Sequence, residues 1–237
     1  ATEGVAMVHN LILGAFTMVG SGVDNWVDGR EQRRYTPYHI RHRTEVAGMM
    51  TILHGDNRFY NNIFVQGHPI TNEEPKESPF YQQVGTHVWD EYPTYKEWIA
   101  KFDMEEEKPD MGKLEPAHFS HLPVWADGNV YLAGAKAWKK EKHNLVKDDA
   151  DVQIELLEED GQYRLSTNLY DYLDGFTTGI INSDVLGKAF EPEQRFEERD
   201  GSDIVFQSDY LGNHRGVSTI PGPFADVKEL DEVIWID

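Results

Sequence analysis

Asn10-Leu11-Ile12-Leu13-Gly14, Asn62-Ile63-Phe64-Val65-Gln66-Gly67 and Asn129-Val130-Tyr131-Leu132-Ala133-Gly134 are three copies of one phrase: Asn, an apolar run, then Gly. The first two Asn residues are 52 positions apart, which reads as about two turns of a coil whose rungs hold a little over two dozen residues. Short buried strands recurring in this way predict a parallel β-helix, each strand stacked on its neighbour at roughly 4.8 Å. An Asn at the same corner of every rung would hydrogen-bond to the Asn above and below, as amide ladders do in stacked sheets. The competing reading is three unrelated strands that happen to end in Gly.

The rest of the chain is consistent with an all-β protein. Residues 5–19 read as one or two strands, 20–35 as a polar excursion, and 46–53 and 59–65 as strands around the turn His54-Gly55-Asp56-Asn57. Pro37 keeps Thr36-Pro37-Tyr38-His39 extended. A long insertion at about 66–121 follows. It holds one predicted helix over 94–106, opened by the capping box Thr94/Glu97, carrying Tyr95, Trp98, Ile99 and Phe102 on one face, and closed at Lys108-Pro109. Residues 122–134 return to strand. After Lys147 the pattern becomes antiparallel: Val152, Ile154 and Leu156 alternate, Asp160-Gly161 turns, and Tyr163, Leu165 and Leu169 answer. Further strands are expected near 177–186, 203–207 and 227–236. Two regions result: rungs with an insertion over 1–147, and an antiparallel β appendage over 148–237 that caps or packs on the coil.

The chain has 237 residues, 39% of them hydrophobic, enough for one large or two small domains. Forty-two acidic against 22 basic residues leave a net charge of -20, which argues against nucleic acid and anionic membranes as partners. With no cysteine there is no disulfide, thiol nucleophile or Cys-bound metal. No apolar run reaches membrane-spanning length. The opening Ala-Thr-Glu-Gly carries no leader signature, which says little about location in a chain that reads as a fragment; the location is left open, with the cytoplasm favoured. A start without Met that enters a strand at once reads as the middle of a protein.

Polar chemistry is densest between 20 and 58, where Asp24, Trp26, Asp28, Tyr35, Tyr38, His39, His42, Glu45, His54, Asp56 and Arg58 fall together. Loops leaving a β-helix line its groove, and carboxylates, His and aromatic faces suit a sugar. The contrasting reading is ordinary loop polarity. Asp24 and Glu45 are 21 residues apart, close to one rung. Stacked, their carboxylates would lie roughly 5 Å apart, the separation a retaining glycosidase needs. His39-x-x-His42 and His118-x-x-His121 resemble metal pairs but lack an HExxH frame, and neither a phosphate loop nor a Gly-x-Ser-x-Gly elbow is present. No metal and no cofactor are expected.

Four stretches then carry a family resemblance: Glu3 to Leu11, Thr36-Pro37-Tyr38-His39, His42 to Gly48, and His54-Gly55-Asp56-Asn57-Arg58-Phe59-Tyr60-Asn61-Asn62-Ile63-Phe64-Val65. They resemble the right-handed parallel β-helix proteins of glycoside hydrolase family 120, which are β-xylosidases. Gly187-Lys188-Ala189-Phe190-Glu191-Pro192 and Asp209 to Gly216 look like the end of such proteins. The resemblance implies retention through an Asp nucleophile and a Glu acid/base. In the family these lie in a Trp-Leu-Asp-Trp-like rung and an Ile-Glu-Val-like strand that precede the Glu3–Leu11 segment. The chain is therefore expected to be a C-terminal portion with no catalytic residue of its own, leaving Asp24 and Glu45 as a fallback pair. Tyr38, His39, His42, Glu45 and His54 are the expected substrate-binding residues. The expected partners are a xylo-oligosaccharide and a polypeptide carrying the N-terminal rungs, with oligomer formation left open. The alternatives are another β-helix glycosidase or lyase, and a non-catalytic carbohydrate-binding module. The negative charge weighs mildly against the anionic substrate of a lyase.

Overall fold

In a computed structural model, residues 3–16, 26–31, 35–67, 82–102, 111–159, 162–190, 193–225 and 233–236 are described. The chain is mostly β, with few and short helices. In chain order, β1 (Val5–Val8) and β2 (Leu11–Ile12) are followed by a small hairpin of β3 (Trp26–Val27) and β4 (Arg30–Glu31). A larger hairpin pairs β5 (Tyr35–His39) with β6 (Val46–Thr51). Then come β7 (Asn57–Tyr60), β8 (Ile63–Val65), α1 (Tyr95–Ile99), α2 (Met111–His118), β9 (Val124–Asp127), β10 (Asn129–Leu132) and β11 (Asn144–Lys147). The last elements are β12 (Ile154–Glu159), β13 (Gln162–Thr167), β14 (Thr178–Gly179), α3 (Ser183–Leu186), β15 (Ser218–Thr219) and β16 (Val233–Ile236). Among the described residues no helix is long and apolar enough to cross a membrane.

Two parallel sheets organise the first part. One runs β1-β7-β9, with Val5 opposite Asn57 and Asn57 opposite Val124. The other runs β2-β8-β10-β11, with Leu11 opposite Ile63, Ile63 opposite Val130 and Val130 opposite Leu145. The chain crosses from the first sheet to the second three times, at His9-Asn10, Asn61-Asn62 and Gly128-Asn129. The first residue of each corner is left-handed, with φ of 57°, 57° and 71°. Asn tolerates that region and Gly enters it freely. At Gly128 space matters as well, because a Cβ would stand 2.3 Å from Asn61 Oδ1.

The three corner Asn residues form a ladder. Asn62 Oδ1 accepts from Asn10 N (3.0 Å) and Asn10 Nδ2 (2.9 Å), and Asn129 Oδ1 accepts from Asn62 N (3.0 Å) and Asn62 Nδ2 (2.9 Å). Each inner amide also reaches across to a carbonyl of the strand before it: Asn62 Nδ2 donates to Met7 O, and Asn129 Nδ2 to Phe59 O. Glu141 closes the ladder, its Oε1 accepting from Asn129 N and Nδ2. Asn62 is fully buried, so truncating it strands donors and acceptors on both sides. Asn62→Ala should destabilise the protein by about 1–3 kcal/mol in urea unfolding; a change below about 0.5 kcal/mol would mean the ladder only decorates the corner.

The ladder corrects the length of the repeat. Leu11 pairs directly with Ile63, so the 52-residue spacing separates neighbouring strands of one sheet rather than strands two repeats apart.

Alternate side chains explain the core. Phe59 and Val124 from one sheet meet Phe64 and Tyr131 from the other, joined by Val84, Trp89 and Tyr92 of the insertion. Outside the second sheet, Ile63, Val65, Val130 and Leu132 pack on Leu169 and Leu173. Outside the first, Val8 and Tyr60 pack on Ile181 and Leu186. Both faces of both sheets are thus covered by protein, which is why these strands read as unbroken apolar runs. Each fully buried Leu, Ile or Phe contributes about 1.5–3 kcal/mol.

The later region departs from expectation in three places. Among its described residues the insertion holds two α-helices where one was expected: α1 stops at Ile99 and runs on as a 3-10 turn to Phe102, and α2 follows with Pro116 inside it, while residues 103–110 lie outside the described residues. The capping box at Thr94/Glu97 is present, and Trp98 and Phe102 pack inward, whereas Tyr95 and Ile99 are exposed. The stretch 177–186 is only partly strand, because Asn182 Oδ1 accepts from Asp184 N and Val185 N and starts α3. Residues 203–207 form single bridges to Glu197 and Asn182. The hairpin β12–β13 forms as expected, with β16 added antiparallel beside β13.

Candidate functional site

The β5–β6 hairpin stands in the long connection between β2 and β7. Gly48 lies under Tyr38, whose hydroxyl and ring would meet a Cβ there at 2.7 and 2.8 Å, so glycine lets the tyrosine lie across the hairpin as it does. The tip is closed by Ile40 N to Glu45 O (2.9 Å) and Arg43 N to Ile40 O (2.9 Å). His39 Nδ1 bonds to Thr44 O at 3.0 Å. His42, at φ 56°, bonds through Nε2 to Glu197 Oε1 at 3.1 Å, and Arg41 Nε reaches the same oxygen at 3.3 Å. Glu45 is exposed, with Arg43 4.0 Å away.

The structure thus gathers Tyr38, His39, His42 and Glu45 on one hairpin and ties its tip to the C-terminal region through Glu197, whose side chain is 7% exposed. Glu197 is 155 residues from His42, and no local sequence signal marks it. The tip offers imidazole donors and acceptors and one carboxylate, a set that fixes hydroxyls.

His54 sits apart from this tip. It is buried at the hairpin's base with φ 58°. The Glu3 carboxylate accepts from the backbone N–H of His54 and of Leu53. The His54 and His121 rings are 6.3 Å apart, His121 stacks on Tyr92 at 4.5 Å, and His121 Nδ1 bonds to Leu53 O. His118, by contrast, is exposed. Position 24 lies outside the described residues. Among those residues no group of three or more His, Asp or Glu is placed to hold a metal.

Two cavities adjoin the first sheet. One, of about 740 Å³, lies beside Val8–Leu11 and is walled by Leu156, Tyr163 and Leu165 on one side and Phe206, Tyr210 and Phe224 on another. Its His9 and Asp209 side chains are engaged. His9 Nδ1 donates to Gly222 O while Asn61 Nδ2 donates to His9 Nε2, which fixes a neutral imidazole. Burial, helped by Arg215, pushes the His9 pKa down to about 3. Asp209 accepts from the backbone N–H of Leu211, Asn213 and Ala225. The second cavity, of about 460 Å³, is bordered by Tyr95, Trp125, Asp127 and Lys142.

No protein-family model matches this chain, and no curated protein matches it. Among solved structures, XylC in complex with xylose is similar, with 31% of residues identical and a TM-score of 0.74 over 97% of this chain. The chain spans 32% of XylC. This likeness supports a fold of the XylC kind.

Proposed function

We propose that the two parallel sheets are the last rungs of a right-handed parallel β-helix, over residues 1–147, with the region 148–237 packed on them. The whole belongs to a retaining glycoside hydrolase of the β-xylosidase type that releases xylose from xylo-oligosaccharides. The observation that carries this reading is the likeness to XylC, solved with xylose, along almost the full chain. The family-like block from Thr36 to Val65 adds to it, since it supplies one strand from each parallel sheet, the corner between them and the hairpin. The nucleophile and acid/base are assigned to rungs outside these residues, either on the same polypeptide or on a partner. Tyr38, His39, His42 and Glu45 then shape the sugar pocket from the side, and His54 holds the base of their hairpin.

The test is hydrolysis of an aryl β-xyloside by the chain alone and by the chain joined to a polypeptide carrying the preceding rungs. Activity only in the joined form is expected. Hydrolysis by the chain alone would overturn the assignment and return attention to Asp24 and Glu45. Sugar binding without hydrolysis in either form would favour a non-catalytic module. In the active form Glu45→Gln should lower kcat/KM roughly 5- to 150-fold, equivalent to about 1–3 kcal/mol, with unchanged unfolding. Kinetics equal to the parent would reduce the hairpin to a brace.

A further inference from the structure

The far edge of the first sheet is closed at two points and open between them. There β9 is bonded to β7 on one side. On its other side Val124 N donates to Pro93 O (3.0 Å) and Gly128 N donates to His143 O (2.7 Å). Ala126 stands midway and faces the same way, because main-chain groups of alternate residues share one side of a strand. Its methyl packs against the core, yet the residue is only half-buried. Among the described residues its N–H and C=O make no hydrogen bond on that side. This open edge spans roughly 13 Å at about 3.3 Å per residue, and it borders the cleft of about 460 Å³. Tyr60 and Trp125 reach the same cleft from the outer face of the sheet. Tyr60 is 8% exposed, and its hydroxyl makes no hydrogen bond among the described residues. Burial pushes that phenol up to about 12, against the pull of Arg58, so it keeps its proton at neutral pH. Trp125 is held by Arg58, 4.2 Å from its ring centre, and stacks with Tyr95 at 6.3 Å. Tyr95 is 52% exposed. Nearby, Lys139 is paired with Glu91 and Lys140 with Glu97, both at 2.7 Å. Lys96 and Lys142 also line the cleft, are exposed, and enter no ion pair among the described residues.

We propose that this cleft is a sugar site of its own, separate from the β5–β6 hairpin, and that it takes one acidic pyranose, a hexuronate. The ring lies against Trp125 and Tyr95, its hydroxyls bond to the Tyr60 hydroxyl and the Ala126 main chain, and its carboxylate turns toward Lys96 and Lys142. The inference rests on this cleft and not on the hydrolase reading. Three features specify the ligand. Aromatic faces beside unpaired donors and acceptors suit a sugar, whose ring is apolar on its faces and polar at its rim. The buried phenol of Tyr60 has nothing to bond to in the free chain, and a sugar hydroxyl supplies that partner. Two unpaired ammonium groups, in a chain of net charge -20, make a local field that favours an anion. Asp127, the one acid bordering the cleft among the described residues, is engaged by His143 Nδ1 at 3.3 Å. An extended acidic peptide fits less well. Strand addition needs a continuous run of open edge, and Pro93 and His143 close this one at both ends. A small inorganic anion would leave the aromatic faces unused.

Methyl β-D-glucuronide is the probe, and methyl β-D-glucoside, which carries a CH2OH group in place of the carboxylate, is its neutral control. Titrated into the chain and followed by NMR, the glucuronide should shift the Ala126 amide and the Trp125 indole N–H saturably. It should bind at least tenfold more tightly than the glucoside. Tyr60→Phe should weaken the glucuronide about threefold to tenfold. That change removes no hydrogen bond from the free chain, so urea unfolding should be unchanged. Lys142→Met should weaken the glucuronide about tenfold and leave the glucoside as it was. Any of five results would overturn the site: no saturation up to the solubility limit of the glucuronide, equal affinity for the glucoside, full-strength binding to either variant, displacement of the glucuronide by inorganic phosphate at equal concentration, or tetraglutamate moving the same signals at lower concentration. Xyloside hydrolysis is read in none of these arms, so this site and the hydrolase assignment can fail separately.

Discussion

Arg58→Met should lower the stability of this protein by about 3–5 kcal/mol, the usual consequence of removing one member of a buried ion pair. The Arg58 and Asp56 side chains are 3% and 2% exposed, with Nη1 2.8 Å from Oδ1. Arg58 also donates from Nε to Leu186 O and from Nη2 to Lys188 O, both at 2.6 Å, and its guanidinium lies 4.2 Å from the centre of the Trp125 ring and 4.7 Å from that of Phe196. One side chain therefore fastens the outer face of the first sheet to the segment that covers it. Methionine fills much of the space but leaves two carbonyls without donors and a carboxylate without its cation. Burial already pushes the Asp56 carboxyl above its ordinary range, against the pull of Arg58. In the variant Asp56 should take up a proton, which limits the loss. Asp56→Asn on the Arg58→Met background should for that reason add less than it does alone. Urea unfolding of the four proteins gives the coupling directly. A loss below about 1 kcal/mol for Arg58→Met would show that the pair contributes little beyond its packing.

The corner Asn residues were legible because their chemistry is local: one amide next to one left-handed residue at each sheet crossing. Their spacing was not legible in the same way. Nothing in residues 13–56 states whether the chain returns to the stack midway, and two hairpins within them imitate the strands of an extra turn. α3 was readable in principle, since Asn182 ahead of Ser183-Asp184 is an N-cap, but the apolar alternation around it suggested strand. α2 was hidden by Pro116, which ordinarily argues against a helix interior. At the hairpin, residue types pointed to His39, His42 and Glu45. The residue that holds them, Glu197, comes from the far end of the chain and could be found only by folding it. Glu141 was missed for a related reason: the ladder leads one to expect a fourth amide, and Asn144 stands opposite Asn129 in β11. A carboxyl three residues earlier takes that place instead.

That carboxyl and His9 should give the protein two opposing pH dependences, each visible once the other group is removed. Burial pushes Glu141 up to about 7, against hydrogen bonds from Tyr131 (2.6 Å to Oε2) and Asn129. Between the ordinary carboxylate pKa of 4.5 and about 7, the folded chain holds a proton that the unfolded chain has released. The associated stability is complete below 4.5 and is lost as pH rises through 7, about 3 kcal/mol in all at about 1.4 kcal/mol per pH unit. His9 acts with the opposite sign. Between about 3 and 6.5 the unfolded chain holds a proton there that the folded chain refuses. Its stability is complete above 6.5 and is lost as pH falls toward 3, about 5 kcal/mol in all. From 4.5 to 6.5 the two slopes cancel, so neither shows in the parent protein there. His9→Asn suits the left-handed corner, as Asn61 already does at the next one, and removes the acid-side loss. Its stability relative to the parent should fall by about 5 kcal/mol between pH 3 and 6.5. Glu141→Gln keeps an acceptor for Asn129 and a donor for the Tyr131 hydroxyl. Relative to the parent it should gain about 3 kcal/mol between pH 4.5 and 7. Chemical unfolding at half-unit pH steps measures both differences. Variant and parent curves that run parallel across these windows would mean that neither group titrates as its burial requires.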